Sequence, residues 1–428
     1  ETSGGSVWKP LRRGRLWAAE AAANVERRWV GLRDRRTTAA ARQRQAGGSR
    51  WDRGVAWCWK TLRPKGCWRR LYPHLWDYEL AYGPVVDALR PDLIHANDFR
   101  MLGIGARAKL RARAAGRDVR LVWDAHGYIP GVRPAVDDGR WLPAMCAHEA
   151  EYARHADEVV TVSEELAELL RKRHRLARLP TVVLNAPETA STKDTDDAPD
   201  LRGQCGIGPA DPLLVYNGVA APRRGLDIMV RALPMLPDAH VALVVDEPDG
   251  PYATELGELA AAIGVAARVH VLPFVPYHQA VSHLAAADVG VVPIHHWPNH
   301  EIALTPKFFE YSHARLPVVV SDVRTMARTT HNTGQGEVFW ADNVNDYVRA
   351  VNAVLADPAS YRGAYERADL LGAWTWEHQA RVLDTAYAKA MARSEGPRAI
   401  ASPINPHYRQ SSKSTFDSAR SADTRSPR

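Results

Sequence analysis

The chain has 428 residues, enough to build two domains of ordinary size, each with its own core. No apolar run approaches the roughly 18 residues of a membrane span, no signal segment is visible, and the four cysteines (Cys58, Cys67, Cys146, Cys205) form no Cys-x-x-Cys pair, which argues against a disulfide frame or a zinc site. The formal charge is +7 but unevenly placed: residues 1–75 hold 18 Lys/Arg against 5 Asp/Glu, so the remainder is net acidic.

Residues 1–85 form a basic segment rich in tryptophan, with eight of the 14 tryptophans in the first 76 residues. A basic helix is predicted over 11–45 and irregular structure over 46–75. Cations mixed with indoles suit an anionic membrane surface or a lipid phosphate. A solvated basic helix is the alternative, and a nucleic-acid partner is not expected, because no nucleic-acid-binding motif is present. The chain begins with Glu1 rather than methionine, so further residues upstream are expected. The reduced thiols and the lack of a signal segment place the protein in the cytoplasm, with a peripheral position at the inner face of the membrane as the further expectation.

From residue 86 the texture changes to short β-rich apolar runs, each followed by helical periodicity. That is the pattern of βα units on a parallel sheet. Within 86–190, strands are predicted at Leu93–Ala96, Leu121–Ala125, Glu158–Ser163 and Thr181–Asn185. Residues 191–212 read as a linker. Within 213–375, strands are predicted at Leu213–Tyr216, Val241–Val245, Val269–Leu272, Val289–Pro293, Val318–Ser321 and Glu337–Trp340, with helices such as Leu226–Ala232 and Thr254–Ile263 between them. A last helix is predicted over 376–393 and a disordered tail over 394–428. The fold class is α/β, with two Rossmann-like doubly wound domains facing a cleft and a linker between them, the first domain incomplete at its amino-terminal end.

The chemistry-bearing residues cluster at predicted strand ends. After the Leu213–Tyr216 strand come Gly218, which lets backbone approach a ligand closely, and Arg223-Arg224-Gly225 at the start of a helix, where the guanidinium fork suits a phosphate. Two surface arginines capping a turn are the alternative. The stretch from Asn299 to Asp322 reads as a polar loop containing Glu301, a short helix carrying Lys307 and Glu310, and an apolar strand opened by Pro317. Free amides at the helix start, with those around Ala303–Thr305, and the Lys307 charge suit a diphosphate, and Glu310 suits ribose hydroxyls. An ordinary helix N-terminus ahead of a buried strand is the alternative. In the first half, Trp123-Asp124-Ala125-His126-Gly127 ends a strand, which turns His126 towards the cleft, with Asp124 placed to orient it. His95 and Asp98 follow the Leu93–Ala96 strand, and Ser163 is a helix N-cap. The glycine pairs Gly103/Gly105 and Gly206/Gly208 do not make a dinucleotide fingerprint.

These segments resemble glycosyltransferase family 4, which has the GT-B fold. The resemblance covers roughly residues 88–392. It is carried by Pro306-Lys307-Phe308-Phe309-Glu310-Tyr311, Pro317-Val318-Val319-Val320-Ser321-Asp322, the Gly218…Arg224-Gly225 turn, His126-Gly127, the Pro91-Asp92…His95…Asp98 segment, Thr161-Val162-Ser163-Glu164, Gly334-Gln335-Gly336-Glu337 and Trp374-Thr375-Trp376. Three departures stand out. Pro306 directly precedes Lys307, where the family has one residue between them. Glu301 and Glu310 have eight residues between them where the family has seven. Val219 follows Gly218 where the family has an arginine. The strand and glycine-rich loop that open the family's first domain are not found in 1–85.

The resemblance implies a hexosyltransferase-type enzyme that moves a sugar from a nucleotide-diphosphate sugar to an acceptor hydroxyl with retention, in cell-envelope polysaccharide or glycolipid synthesis. It implies no cofactor and no essential metal. The implied partners are a nucleotide-sugar donor and a sugar or lipid-linked acceptor. His126 would contact the donor sugar, with Asp124 beside it. Gly218, Arg223, Arg224, Glu301, Lys307 and Glu310 would bind the donor, and His95, Asp98 and Ser163 would serve the acceptor or support the cleft. A non-catalytic sugar-nucleotide-binding protein, a truncated transferase and an epimerase of the same fold are the competing readings.

Overall fold

The computed structural model describes residues 50–134, 139–188, 198–302 and 304–392. The predicted 11–45 helix and the 394–428 tail lie outside them, as does Ala303 of the expected amide cluster. The chain divides into two compact units. One comprises Glu1–Leu75 with Arg133–His148, and the other Trp76–Val132 with Glu149–Arg428.

In the first unit, residues 50–75 are more regular than the sequence suggested. Arg50–Leu62 is a helix, and Trp68–Leu71 forms one further turn. The first stretch lacks proline, and its glycine at 54 has open space around it, so helix propensity prevails over the glycine penalty. Trp68, Cys67 and Leu71 are buried, the Trp68 indole stands edge-on to His148 at 4.9 Å, and Asp52 pairs with Arg140 at 2.5 Å. Trp51, Trp57 and Leu62 are left exposed at 75, 72 and 67%.

The second unit contains two parallel sheets. In the first, β1 (Leu93–Asn97), β2 (Arg120–Ala125), β3 (Glu158–Thr161) and β4 (Thr181–Val182) lie side by side in chain order. The second sheet has six strands: β5 (Leu213–Asn217), β6 (His240–Val245), β7 (Val269–Pro273), β8 (Val289–Val292), β9 (Val318–Ser321) and β10 (Gly336–Phe339). Its order is β10-β9-β8-β5-β6-β7, all parallel, with the strand order reversing between β5 and β8. Each of the ten predicted strands is present within a few residues. β3 stops at Thr161 because Ser163 already caps the next helix, accepting from the Leu166 amide at 3.2 Å.

Strand alternation builds two cores on the second sheet. Leu214, Tyr216, Val241, Leu243, Val289 and Val291 pack on one face beneath the Asp227–Ala232, Pro251–Ala262 and Val344–Ala356 helices. Leu213, Val215, Ala242, Val244, Val318 and Val320 pack on the other against Phe308, Phe309 and Trp374. Part of the predicted linker is folded into this second core. Leu201–Cys205 is a short helix capped by Asp200, and its Leu201 is fully buried. Arg202 holds it there, bonding the carbonyls of Ala286, Gly208 and Asp211 and the Asp288 carboxylate.

The last helix, Trp376–Met391, returns to the first sheet. Its Ala386 and Ala390 pack with Val122 and Val160. Gln379 fixes its start by accepting from the Leu184 amide at 2.9 Å and donating to the Ala373 carbonyl at 2.8 Å.

Candidate active site

In an open parallel sheet, ligands bind beyond the carboxyl ends of the strands where the order reverses. Here that point lies between β5 and β8, and the residues following these two strands are Gly218 to Gly225 and the 293–305 loop. The short helix Pro306–His313 docks onto the end of β5 through consecutive side chains. Glu310 Oε2 accepts from the Asn217 side-chain amide at 2.8 Å, and the Tyr311 hydroxyl accepts from the Asn217 backbone N–H at 2.9 Å. The Glu-Tyr pair therefore reads one residue of β5 through both its side chain and its backbone.

Lys307 is the most unusual group at this point. It is only 7% exposed, and its Nζ lies 3.8 Å from the centre of the Tyr216 ring. Among the described residues it makes no hydrogen bond or ion pair. Burial drives its pKa well below the ordinary lysine range, Arg224 pushes it the same way, and Glu310 opposes the shift. Burial also raises the Glu310 carboxyl, against the Asn217 hydrogen bond and the Lys307 charge. Gly218 has φ +146°, and a Cβ there would come within 2.5 Å of the Lys307 ammonium. The backbone after β5 is thus pressed against a desolvated cation.

Arg223 and Arg224 lie on the Pro222–Arg224 turn. Arg223 is exposed, while the Nε of Arg224 is buried and finds no hydrogen-bond partner among the described residues, as is true of the Thr305 hydroxyl at the start of the Lys307 helix. Two unpartnered buried donors, a buried cation and a helix N-terminus gather at the strand-order reversal. That set suits an anion with several oxygens.

The loop after β8 is rich in histidine, a feature the sequence reading passed over. His296 bridges Glu301 (Nδ1 to Oε1, 2.5 Å) and Asp322 (Nε2 to Oδ1, 2.8 Å). Both carboxylates raise its pKa, Glu301 most strongly. The other Glu301 oxygen accepts from the Arg324 amide at 2.9 Å, so Glu301 fastens the loop to the next helix with both of its oxygens engaged. His300 stacks on Trp297 and donates to the His295 carbonyl at 2.8 Å, and burial lowers its pKa.

The first-sheet candidates form a second group. His95 Nε2 lies 3.1 Å from Asp124 Oδ2, and His126 Nε2 lies 3.5 Å from the same oxygen. The shorter contact of His126 is to Asn97 Oδ1 at 2.7 Å. Asp124 is therefore held mainly by His95, which neighbours it across adjacent strands, and Asn97, unremarked in the sequence, is the nearer partner of His126. Asp98 stays apart from this group. It has φ +72° and bonds Arg100 and the Phe99 amide at 2.5 Å each, at the start of its helix. Ser163 donates to the Ile302 carbonyl, and Asn299 pairs with the backbone of Tyr128, so the loop after β8 touches the loops after β2 and β3.

Among the described residues no group of three or more His, Cys, Asp or Glu side chains is arranged to hold a metal ion.

Two parallel α/β sheets with a last helix returning from the second to the first are the architecture of the GT-B fold. Residues 197–370 match the model of glycosyl transferases group 1, and residues 23–188 match that of glycosyltransferase family 4. The two matches together span most of the chain, which is a glycosyltransferase similar to those of family 4. It is 29% identical over 331 residues to the GDP-mannose-dependent alpha-(1-6)-phosphatidylinositol monomannoside mannosyltransferase of Mycolicibacterium smegmatis, covering 72% of this chain and 82% of that one. It is 26% identical over 280 residues to the D-inositol 3-phosphate glycosyltransferase of Mycolicibacterium gilvum, covering 64% and 62%. Among solved structures it is similar in fold to sucrose-phosphate synthase from Thermosynechococcus elongatus, with a TM-score of 0.60 and 21% identity over 76% of this chain and 80% of that one. It is likewise similar to Anabaena Alr3699/HepE in complex with UDP, with a TM-score of 0.57 and 20% identity over 71% and 81%.

Proposed function

We propose that the chain transfers a sugar from a nucleotide-diphosphate sugar to an acceptor hydroxyl with retention of configuration, in the synthesis of a cell-envelope glycolipid or polysaccharide. The observation that carries this reading is Lys307: a buried amine that makes no hydrogen bond or ion pair among the described residues, beside the Gly218 backbone. A leaving diphosphate is the partner it lacks. Stabilising that leaving charge in a water-poor site is the main electrostatic demand of the reaction. Lys307, Arg224 and the amides at the start of the Pro306–His313 helix supply it without a metal ion. Glu310, held by Asn217, accepts hydrogen bonds from the ribose. His126 contacts the sugar, and Glu301 braces the loop that lies alongside it. The mannosyltransferase relative acts on a phosphatidylinositol monomannoside by name, which favours a membrane glycolipid as acceptor here, while the D-inositol 3-phosphate named for the other is a soluble alternative.

The test is calorimetric binding of GDP and UDP, without metal, to the wild-type chain and to Glu310→Ala. Binding of one nucleotide that is lost in the folded variant supports the reading, and no binding of either by the wild type contradicts it.

The exposed Trp51, Trp57 and Leu62, with Lys60, Arg63, Arg69 and Arg70, favour peripheral contact with an anionic membrane. A depression of about 410 Å³ lined by Trp59, Arg63, Gly66, Arg69 and Arg70 has the size and charge for a lipid phosphate. Among the described residues no helix is long and apolar enough to cross a membrane. Co-sedimentation with phosphatidylglycerol vesicles, released by salt, is the expected result. Equal binding to neutral phosphatidylcholine vesicles would count against it.

A further inference from the structure

The last helix carries a side chain that reaches the histidine group at the end of the first sheet. The Tyr387 hydroxyl lies 3.0 Å from His95 Nδ1, and the two rings meet edge to face at 5.8 Å. The other nitrogen of His95, Nε2, is the one bonded to Asp124 Oδ2, and that oxygen also faces His126 Nε2. A continuous chain of polar contacts thus runs from Tyr387 through His95 and Asp124 to His126.

The donor and acceptor roles along this chain follow from its chemistry. Asp124 and the side-chain oxygen of Asn97 accept, so His95 and His126 each place a proton on Nε2. In neutral His95 this leaves Nδ1 as an acceptor for the Tyr387 hydroxyl. In His126 it commits Nε2 to Asn97 at 2.7 Å, with Asp124 Oδ2 at 3.5 Å beside it, and leaves Nδ1 for a ligand. One carboxylate oxygen shared between two imidazoles can take many positions unless a further group fixes one of them, and Tyr387 fixes His95.

We propose that Tyr387 and His95 are positioning residues that act through Asp124 to hold His126 in one tautomer and one ring orientation, with Nδ1 presented to the sugar. The proposal rests on the reading of His126 as the group that contacts the donor. It makes the last helix, which follows the nucleotide-side sheet in the chain, a part of the site on the first sheet. Its arrangement parallels the way a second partner on a ligating or catalytic histidine selects which nitrogen is free.

The test reads the imidazole nitrogens directly, in the unliganded full chain, by long-range proton–nitrogen NMR. His95 and His126 are assigned from the signals lost in His95→Asn and His126→Asn. Wild-type protein near neutral pH is expected to show His126 with a protonated Nε2 and an unprotonated Nδ1. In Tyr387→Phe the signals of both His95 and His126 move towards tautomer averaging, while those of the remote pair His240 and His270 stay in place. His95→Asn acts as a second variant and is expected to alter His126 in the same way. A His126 signal unchanged in both folded variants overturns the proposal, as does a change that spreads to His240 and His270.

Release of nucleoside diphosphate from GDP-mannose or UDP-glucose separates this proposal from the reading beneath it. Tyr387→Phe is expected to lower kcat roughly tenfold with KM for the donor little changed, and to have no further effect in a His126→Ala background. A kcat unaffected by His126→Ala would remove the role of His126 while leaving the contact chain intact. A kcat lowered by His126→Ala but not by Tyr387→Phe would remove the positioning role alone.

Discussion

The Asn299 side-chain amide pairs with both backbone polar atoms of Tyr128: Oδ1 accepts from the N–H at 2.8 Å, and Nδ2 donates to the carbonyl at 3.1 Å. Asn299 lies in the loop after β8 and Tyr128 in the loop after β2, so this two-point contact ties the second sheet's ligand loop to the first sheet. Pro298 packs beside it against Gly131, where a Cβ would come within 2.7 Å. Ser163 to Ile302 and Arg328 to Glu165 add two further ties between the same parts.

Asn299→Ala removes both hydrogen bonds and leaves the Tyr128 amide to water. Segments 126–132 and 296–302 are expected to exchange their amide hydrogens faster than in the wild type, while the β5 and β6 amides keep their protection. Unchanged exchange in both segments would show that the contact does not hold the loops together.

Lys307 makes two opposite demands on the protein. Burying a cation without a partner destabilises the free fold, and the same cation is available to an anion. Its lowered pKa means that the unfolded chain binds more protons than the folded one, so its contribution to stability rises with pH until the unfolded lysine has titrated. Lys307→Met should therefore raise the thermal midpoint of the unliganded protein, most at the lower end of that range. Binding of GDP or UDP should take up a proton, read calorimetrically as an enthalpy that varies with buffer ionisation heat, and should weaken as pH rises. In Lys307→Met the proton uptake disappears and affinity falls roughly 10- to 150-fold, the equivalent of about 1.5–3 kcal/mol for a charged hydrogen bond. Equal affinity in the two proteins would take Lys307 out of the site.

Much of this was readable from residues alone. All ten strands announced themselves as short β-rich apolar runs, most plainly the fully buried Val289–Val292 and Val318–Ser321, because a parallel strand covered on both faces must be such a run. Lys307 and Glu310 were readable because a proline-led helix before such a run is a local signal. The contact chain from Tyr387 was not, because it joins residues 292 positions apart and a tyrosine on a helix face carries no local mark of its partner. The role of Asp124 is legible from its nearness in sequence to His126, whereas its hydrogen-bond partner His95 stands on neighbouring β1, two residues before Asn97, which pairs with Asp124 in register. The Leu201–Cys205 helix was hidden for a similar reason. Its flanks are rich in turn residues, and it owes its order to Arg202 reaching carbonyls and a carboxylate up to 86 positions away.

Gly225 shows how tightly the phosphate-side turn is built. Its φ is +68°, and a Cβ would lie 2.1 Å from the Pro293 carbonyl oxygen at the end of β8. Neither the conformation nor the space admits a side chain, and the obstacle is backbone. Gly225→Ala is expected to cost about 2 kcal/mol or more in urea unfolding and to shift Arg224, weakening nucleotide binding even where the variant folds. A change within about 0.5 kcal/mol of wild type would mean that the turn can rearrange around the methyl group.

His296 offers the clearest pH effect outside Lys307. Glu301 and Asp322 raise its pKa, so the folded state holds its proton more tightly than the unfolded chain does. By linkage, the stabilisation is complete below the ordinary histidine value and is lost as pH rises through the raised one. The side chain is half exposed, and solvent screens both ion pairs, so about 1 kcal/mol in total is the expected scale. His296→Gln should lower the thermal midpoint at about pH 6 and should converge with wild type on the alkaline side. Because Glu301 also holds the Arg324 amide, the variant should loosen the 296–302 loop before it affects either sheet. A gap in thermal midpoint that stays constant with pH would show that His296 acts by packing, not by charge.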